Sequence, residues 1–400
     1  MAFSNLSKAK EKKKDEFYTS FEDIEKELIH YEDKFKNKIV FCNCDDPFHS
    51  NFVKYFLINF NKLQLKELIA TGFLVANNKT KFDETYILRV NNTKKYLTKD
   101  EKDLNLQNIK TILSIENKEI LFPFNNNMII EEKISYNKTI CEKQEENNNF
   151  EYINGDFRHK VSIELLKKSD IVITNPPFSL FREFISLITK YEKKFLIIGN
   201  QNAITYKEIF PLIKNNEIWL GYGFDGNVGF FESPYEDIAN STQHKKGKIR
   251  ISGVMWFTNI DHPKRHKILP LDLDCIYEEN EIKYPKYHNY DAININKTKE
   301  IPNDYDGVMG VPITFLSYYC PEQFEIIGLS SKDNYGDVKR LYDNDFYNGY
   351  TRGKVVTRIE SNMPILDKFG YGGTLCQKEN YPNLYQLYWR IFIKLNKTFV

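Results

Sequence analysis

Short apolar runs alternate with amphipathic segments along the first two thirds of the chain. The runs at 38–44, 65–69, 171–174 and 194–199 have the length and composition of buried strands. The segments at 24–31, 51–60 and 181–188 carry apolar residues at helical spacing instead. Alternating strands and helices predict an α/β fold with a doubly wound, mostly parallel sheet.

The same rhythm continues to about residue 260. A helix is predicted over 203–213, and strands are predicted at 217–220 and 253–258. Near the N-terminus, Thr19 or Ser20 is positioned to cap the helix that contains Ile24, with Asp23 in the capping-box region.

Two parts of the chain depart from this rhythm. Residues 76–149 are rich in Asn, Lys and Glu with short apolar runs, which predicts an insertion that forms a small β-rich lobe. A short strand is expected at 150–157, where regularity returns. Past residue 261, short strand candidates at 310–315, 324–328 and 387–393 lie between turn-rich segments. We therefore predict a basic flexible arm over 1–15, a catalytic domain over 16–261 and an α+β region over 262–400.

The amino-acid composition limits the kinds of protein to which this chain can belong. The hydrophobic share of 41% is enough to build cores, and the net charge of +1 by itself indicates no polyanionic partner. Six cysteines in 400 residues make a poor disulfide framework, which favours a reducing compartment. The chain has no secretory signal and no apolar run of about 18 residues, so we expect a cytoplasmic protein without a membrane partner.

One strand ends at an unusual turn. Ile171–Thr174 is followed by Asn175, Pro176, Pro177 and Phe178 and then by a helix-periodic segment. Two prolines fix the backbone, so the amide of Asn175 is aimed rigidly at the carboxyl edge of the sheet, where ligands of open α/β sheets collect. The Asn175 side-chain oxygen and the Pro176 carbonyl could both accept from a planar amino group, which would make its nitrogen a better nucleophile. A structural turn is the alternative interpretation.

Acidic residues follow two other strand ends. Asp45 and Asp46 come after the strand at 38–44, and Asp156 lies in the Gly155-Asp156 turn that ends the strand predicted at 150–157. Because the carboxyl ends of parallel strands lie side by side, these carboxylates could bind the hydroxyl and amino groups of a nucleoside-like cofactor. Helix capping is the competing interpretation for each position.

Several common motifs are absent. The sequence contains no P-loop and no H-E-x-x-H pattern, so neither a P-loop nucleotide site nor a catalytic metal is predicted. The glycine-rich stretch Gly221–Gly229 is expected to be a flexible active-site loop or a hairpin turn rather than a dinucleotide motif.

Positive charge is concentrated around the predicted strand at 253–258. Seven basic residues stand against the single Asp261 within residues 245–267, which favours a phosphate-backbone contact over a merely solvated face. These predicted DNA-binding residues are Lys245, Lys246, Lys248, Arg250, Lys264, Arg265 and Lys267.

Six segments together carry a resemblance to a known family. The turn Asn175–Phe178 resembles the catalytic motif of S-adenosylmethionine-dependent amino-group methyltransferases. In this order, Phe17-Tyr-Thr-Ser20, Cys42-Asn-Cys-Asp-Asp-Pro47, Gly155-Asp-Phe157, Asn175-Pro-Pro-Phe-Ser-Leu-Phe-Arg182, Ile198-Gly-Asn200 and Trp256-Phe-Thr-Asn259 are similar to the EcoRI-type adenine-specific DNA methyltransferases. The similarity covers most of residues 15–265 outside the insertion, and extends thinly to Gly310–Phe315.

The resemblance implies a Rossmann-like methyltransferase fold and a role for each matched motif. Asn175 and Pro176 would hold the N6 amino group of an adenine flipped out of double-stranded DNA, and Phe178 would stack on the base. S-adenosylmethionine is the implied cofactor. Its implied contacts are Phe17, Tyr18, Thr19, Cys44, Asp45, Asp46, Pro47, Asp156 and Phe157.

The cofactor side departs from most methyltransferases. Cys44–Pro47 stands where they carry a glycine-rich loop, and no acidic residue for the ribose follows the strand at 65–70. The expected chemistry is direct in-line methyl transfer to N6, without a covalent enzyme intermediate.

The resemblance implies the modification enzyme of a restriction-modification system, with the region 262–400 recognising the target sequence. It leaves open a cognate restriction endonuclease as partner, and a monomer is favoured. The alternatives are a methyltransferase that acts on an RNA guanine or a protein glutamine, and a non-catalytic DNA-binding specificity subunit.

Overall fold

The chain forms two compact units. The first contains Met1–Gln201 and Gly221–Ile260, and the second contains Asn202–Leu220 and Asp261–Val400. The computed structural model describes residues 18–45, 50–72, 84–91, 128–135, 156–224, 228–232, 244–245, 248–271, 275–277, 284–331, 336–341, 355–358, 374–376, 384–396 and 398. The segment 202–220, which is predicted as part of the catalytic domain, lies in the second unit.

The elements are named in chain order. The helices are α1 (Phe21–Leu28), α2 (Asn51–Asn59), α3 (Lys160–Lys168), α4 (Phe181–Lys190) and α5 (Phe210–Lys214). The strands of the first unit are β1 (Tyr18–Thr19), β2 (Ile39–Cys42), β3 (Glu67–Thr71), β4 (Glu84–Asn91), β5 (Met128–Ser135), β6 (Ile171–Thr174), β7 (Lys194–Asn200), β9 (Val228–Glu232), β10 (His244–Lys245), β11 (Lys248–Ser252) and β12 (Val254–Thr258). Those of the second unit are β8 (Trp219–Leu220), β13 (Ile293–Asn294), β14 (Met309–Pro312), β15 (Phe324–Leu329), β16 (Val356–Arg358), β17 (Thr374–Cys376), β18 (Leu384–Gln386) and β19 (Arg390–Leu395).

A large sheet forms the centre of the first unit. Within this unit its strand order is β5-β4-β3-β2-β6-β7-β12. The central strands β3, β2, β6 and β7 are mutually parallel, and β4, β5 and β12 flank them in antiparallel pairings. All residues of β3 and β6 are buried, as expected of parallel strands covered on both faces. The predicted α/β sheet with a parallel centre is confirmed.

Helices cover both faces of this sheet. On one face, α1 and α2 contribute Ile24, Phe52 and Phe56 to a core cluster that also contains Trp256. On the other face, Phe181 of α4 contacts Phe257, with ring centroids 5.2 Å apart. Neighbouring side chains of β12 therefore point to opposite faces, which is the alternation that a doubly wound sheet requires.

Two strands of the predicted β-rich insertion at 76–149 are described. Its two described strands, β4 and β5, continue the central sheet as an antiparallel pair beside β3. Arg89 of β4 donates to Glu67 of β3 over 2.6 Å, and Leu88 is buried. The unpaired backbone groups of an edge strand favour such an extension over an independent lobe.

A second, antiparallel sheet belongs to the first unit. Its order is β1-β9-β11-β10, and Thr19 of β1 pairs with Phe231 of β9. Directly after β1, the Ser20 side chain accepts from the Asp23 backbone N–H, which confirms the predicted cap of α1.

The second unit is built from smaller sheets. One has the order β13-β14-β19-β15 and the other has the order β16-β18-β17. The strand predicted at 310–315 ends at Pro312 and continues as a 3₁₀ helix over Ile313–Tyr318. The predicted helix at 203–213 is also interrupted, since α5 starts only at Phe210 and Pro211 occupies its first turn. The strand predicted at 150–157 lies outside the described residues except for Asp156 and Phe157.

Candidate functional site

The Asn-Pro-Pro-Phe turn lies at the carboxyl end of β6. The side-chain oxygen of Asn175 and the whole of Pro176 are buried, whereas Pro177 and Phe178 are half-buried. Phe178 opens a short 3₁₀ helix that leads into α4, and its ring packs against the core cluster under α1 and α2. The turn therefore joins a buried strand to a packed helix, so its polar groups have little conformational freedom.

Asp45 ties this turn to the end of the neighbouring strand β2. One of its carboxylate oxygens accepts from the Ser50 hydroxyl over 2.6 Å, and the other accepts from the Thr174 hydroxyl. The Thr174 hydroxyl in turn accepts from the Cys44 backbone N–H over 3.2 Å. Asp45 and Thr174 are both buried. Asp45 therefore holds the ends of β2 and β6 and the first residue before α2 in one hydrogen-bonded group.

Buried polar groups gather beside Asp45. Within the part of the chain that the structure describes, the Thr19 hydroxyl, the Asn43 side-chain NH₂ and the Thr71 hydroxyl have no hydrogen-bond partner, and all three residues are at most 2% exposed. Their backbones are fixed nearby: Asn51 donates to the Thr19 carbonyl over 2.8 Å, and the Asp45 N–H donates to the Thr71 carbonyl over 3.1 Å. Such groups are costly unless a ligand or water satisfies them, so this cluster fits a polar cofactor.

Asp156 and Phe157 lie at the N-terminal end of α3, which leads back to the start of β6. Arg158 donates to both carboxylate oxygens of Asp156 and reaches Glu183 of α4 over 2.6 Å. These carboxylates, Asp156 first, raise the pKa of the Arg158 guanidinium. Phe157 is buried edge-on against Phe184, with centroids 5.0 Å apart. Both residues thus brace α3 against α4, and their cofactor contacts stay a prediction.

The remaining predicted cofactor residues are described only in part. Thr19 belongs to the buried polar cluster, and the Tyr18 backbone pairs with Glu232 in the sheet that contains β1. Cys44 is half-buried beside Thr174. Phe17, Asp46 and Pro47 lie outside the described residues.

The predicted DNA-binding residues belong to both units. In the first unit, the backbones of Lys245, Lys248 and Arg250 lie in the β10–β11 hairpin, and Lys246 lies outside the described residues. In the second unit, Lys267 is exposed and Lys264 is half-buried.

Arg265 packs within the second unit. Its guanidinium carbon lies 3.9 Å from the centre of the Trp219 ring, and its nitrogens reach Asp261 and Asn216 over 3.4 and 3.3 Å. Only 13% of the Arg265 side chain is exposed. These contacts give Arg265 a structural role, and a phosphate contact by it stays a prediction.

Sequence reasoning missed four residues of the site: Ser50, Asn43, Thr71 and Thr174. Asn43 and Thr174 stand next to residues that the motifs singled out, and their position at strand ends was a usable signal. Ser50 had the signal of an N-cap residue, and it does accept from the Phe52 N–H at the start of α2 over 3.1 Å. In the part of the chain that the structure describes, no cluster of His, Cys, Asp and Glu could hold a metal ion.

The fold and the turn together define an α/β protein of the amino-group methyltransferase class. The family model described as "Adenine-specific methyltransferase EcoRI" matches residues 5–395, so the chain belongs to this family. Among curated relatives, Type II methyltransferase M.EcoRI of Escherichia coli is 45% identical over 337 residues, covering 82% of this chain and 91% of the relative.

Two mycoplasma proteins are also similar. Type II methyltransferase M.MgeORF184P of Mycoplasma genitalium is 36% identical, covering 86% of this chain and 91% of the relative. Type II methyltransferase M.MpnI of Mycoplasma pneumoniae is 35% identical, covering 80% of this chain and 84% of the relative. No solved structure matches. None of the described helices is long and apolar enough to cross a membrane.

Proposed function

We propose that this protein transfers a methyl group from S-adenosylmethionine to the N6 amino group of an adenine in double-stranded DNA. The observation that carries the proposal is the junction of β6 and β2, where the Asn-Pro-Pro-Phe turn and the Asp45 group adjoin at the carboxyl edge of a parallel sheet. Family membership supports the choice of adenine. The names of the relatives, which are Type II methyltransferases, support a modification enzyme of a restriction-modification system.

The catalytic turn would act by holding the amino group. The Asn175 side-chain oxygen and the Pro176 carbonyl would each accept a hydrogen bond from one N–H of this amino group. These two bonds would direct the nitrogen lone pair toward the methyl donor. The Phe178 ring would stack on a base taken out of the duplex. Pro177 would keep these groups in register, because its fixed φ limits the motion of the turn.

The cofactor would bind beside Asp45. The Thr19 hydroxyl, the Asn43 side-chain NH₂ and the Thr71 hydroxyl offer the buried hydrogen-bonding groups that its polar parts require. S-adenosylmethionine supplies an activated methyl group when it is bound. Asp45 would contribute by keeping the ends of β2 and β6 together, since both of its oxygens already accept from neighbouring hydroxyls.

Double-stranded DNA is the proposed partner. Lys264 and Lys267 of the second unit and the lysines of the β10–β11 hairpin would contact its phosphates, and the second unit would read the target sequence. The phosphate contacts would position the duplex, but they would not distinguish one DNA sequence from another.

Asn175→Ala tests the proposal. Because the variant removes an acceptor that acts on the reacting nitrogen, we expect methyl transfer to DNA to fall by about 10² to 10³-fold. The affinity for S-adenosylmethionine, measured by calorimetry, should stay within about two-fold. Asn61→Ala, an exposed position after α2, is the matched control and should keep full activity. Near-normal turnover by Asn175→Ala would contradict the assigned role.

The competing functions are separated in the same assay. The wild type is offered DNA, RNA and a protein extract with radiolabelled S-adenosylmethionine, and the DNA product is digested and analysed for N6-methyladenine. Label in RNA guanine or protein glutamine would replace the proposal by the corresponding methyltransferase. A protein that binds DNA but shows no thermal shift with S-adenosylmethionine would instead be a non-catalytic specificity subunit.

A further inference from the structure

Glu27 of α1 is a charged residue in the interior of the first unit. It is 1% exposed, and its carboxylate accepts hydrogen bonds from Tyr31 and from the segment 222–223. The Tyr31 hydroxyl and the Tyr222 backbone N–H donate to one carboxylate oxygen over 2.9 and 2.8 Å, and the Gly223 N–H donates to the other over 2.8 Å. Burying a carboxylate is costly unless such donors compensate it, so the side chain is specifically matched to the segment at 222–223.

The loop side of this contact is equally specific. A Cβ atom at Gly221 would collide with the Glu27 carboxylate and would lie 2.9 Å from the Cβ atom of Trp256. Only glycine lets the loop approach the carboxylate this closely. On the solvent side, the His30 ring stacks on Tyr222 with centroids 3.5 Å apart and planes inclined by 10°. The glycine-rich stretch therefore begins with a segment that two residues of the N-terminal helical region hold in place.

The contact between Glu27 and the segment 222–223 connects to the proposed cofactor pocket through β1 and β9. The helix α1 follows β1 directly, and β1 pairs with β9 through Thr19 and Phe231. The strand β9 begins at Val228, soon after the loop that Glu27 holds. Phe224, between them in sequence, stacks on Trp256 with planes inclined by 8°. Pairing with β9 thus fixes β1, whose Thr19 hydroxyl belongs to the buried polar cluster.

We infer that Glu27 is a positioning residue for the methyl donor: it holds the Tyr222–Gly223 segment so that β9 and β1 keep Thr19 in the cofactor pocket. This inference rests on the proposed function, because it concerns the same pocket. A purely stabilising role needs only a well-packed side chain of similar volume. The carboxylate instead binds two adjacent backbone amides, which fixes the conformation of the loop start and not merely its burial.

Glu27→Gln is the first test. The glutamine NH₂ replaces an oxygen that accepts from a backbone N–H, so one hydrogen bond becomes a contact between two donors. We expect the Kd and the KM for S-adenosylmethionine to rise about ten-fold, while kcat at saturating cofactor stays within about three-fold. Hydrogen exchange should accelerate in peptides that contain Tyr222, Gly223 and Thr19. Glu25→Gln, at an exposed position of the same helix, should change none of these quantities.

Gly221→Ala approaches the same contact from the loop. Its methyl group should displace the carboxylate and reproduce the rise in KM for S-adenosylmethionine. The two changes should not be additive, because each one breaks the same contact. If Glu27→Gln does not fold, His30→Ala carries the test, and loss of one ring stack should raise this KM about three-fold.

The outcomes separate this inference from the proposed function. If the wild type binds S-adenosylmethionine and the folded variants bind it equally well, the positioning role is overturned and the proposed function stands. A fall in kcat with an unchanged KM for the cofactor would also overturn it. If the wild type binds no S-adenosylmethionine, the proposed function fails, and the inference fails with it.

Discussion

At the scale of single residues, Asp45 shows how one carboxylate can join the ends of two strands to the start of a helix. Its cofactor contact stays a prediction, and both of its oxygens accept from hydroxyl groups of the protein. Its neighbours Asn43, Thr19 and Thr71 carry the polar groups that have no partner within the described residues. These three residues have more hydrogen-bonding capacity to offer a ligand than Asp45 has, because an oxygen already bonded inside the protein has less capacity for a ligand.

Asp45→Asn should destabilise the protein. The amide keeps the volume but loses the charge and one acceptor, so a charge-assisted hydrogen bond to Ser50 or Thr174 is weakened. We expect the free energy of unfolding to fall by about 1–3 kcal/mol, measured by urea denaturation. Asp33→Asn is the control, because the Asp33 side chain is 70% exposed and should change stability by less than about 0.5 kcal/mol. Equal midpoints for Asp45→Asn and the wild type would show that the Asp45 bonds contribute little.

At the scale of elements, the position of the Asn-Pro-Pro-Phe turn depends on how α4 packs against β7. Phe181, the first residue of α4, lies over Gly199 of β7. A Cβ atom at Gly199 would lie 2.5 Å from the Phe181 ring and 2.9 Å from the Phe257 ring. The match of Ile198-Gly-Asn200 to the family is thereby explained through packing: glycine lets the helix that follows Asn175–Phe178 approach the sheet.

Gly199→Ala tests this packing. Because the added methyl group overpacks the contact, we expect a loss of about 1–3 kcal/mol in the free energy of unfolding. Methyl transfer should fall as well, since α4 follows the Asn-Pro-Pro-Phe turn through the short 3₁₀ helix Phe178–Leu180. Phe181→Leu in the same chain removes ring atoms from the crowded position and should recover part of the stability. A double variant whose loss equals the sum of the two single losses would argue against direct contact between these residues.

At the scale of the whole molecule, stability should depend on pH through two histidines of the second unit. Burial lowers the pKa of His262 to about 4, and its Nε2 atom donates to the Leu220 carbonyl over 3.0 Å. Hydrogen bonds from the His266 ring to Glu322 and Asp261 raise the pKa of His266. The two shifts have opposite signs, so the two residues affect stability in different ranges of pH.

The sign follows from proton uptake. Between about pH 6.5 and pH 4 the unfolded chain protonates His262 and the folded chain does not. The free energy of unfolding therefore decreases as the pH is lowered through this range, by up to about 3 kcal/mol. His266 contributes stability that is fully present below its unfolded pKa and is lost as pH rises through its higher folded pKa. We expect His262→Gln to flatten the acid-side decline in urea unfolding, and His266→Gln to remove the loss on the alkaline side. Parallel pH profiles for the wild type and His262→Gln would contradict the buried neutral ring.

The sequence was sufficient for the centre of the fold because its signals there are local. The apolar run 171–174, the two prolines and the spacing of Phe181, Phe184 and Ile188 depend only on neighbouring residues, and strand, turn and helix appear where they were predicted. The ordered motifs likewise pointed to the family that the comparisons confirm. Weaker local signals were less accurate: of the helix predicted at 203–213, α5 forms only from Phe210, with Pro211 in its first turn. That the insertion strands pair with β3 was not encoded locally.

What the sequence alone determined, then, is the chemistry offered at the turn: an amide, two rigid prolines and an aromatic ring after a buried strand. Only the tertiary structure decided which partners these groups meet. Asp45 lies 129 positions from Thr174 and Glu27 lies 195 positions from Tyr222, yet each pair is joined by a hydrogen bond. No periodicity along the chain encodes such pairings, because they arise when separate strands and helices bury their apolar faces together and leave polar groups that must find one another.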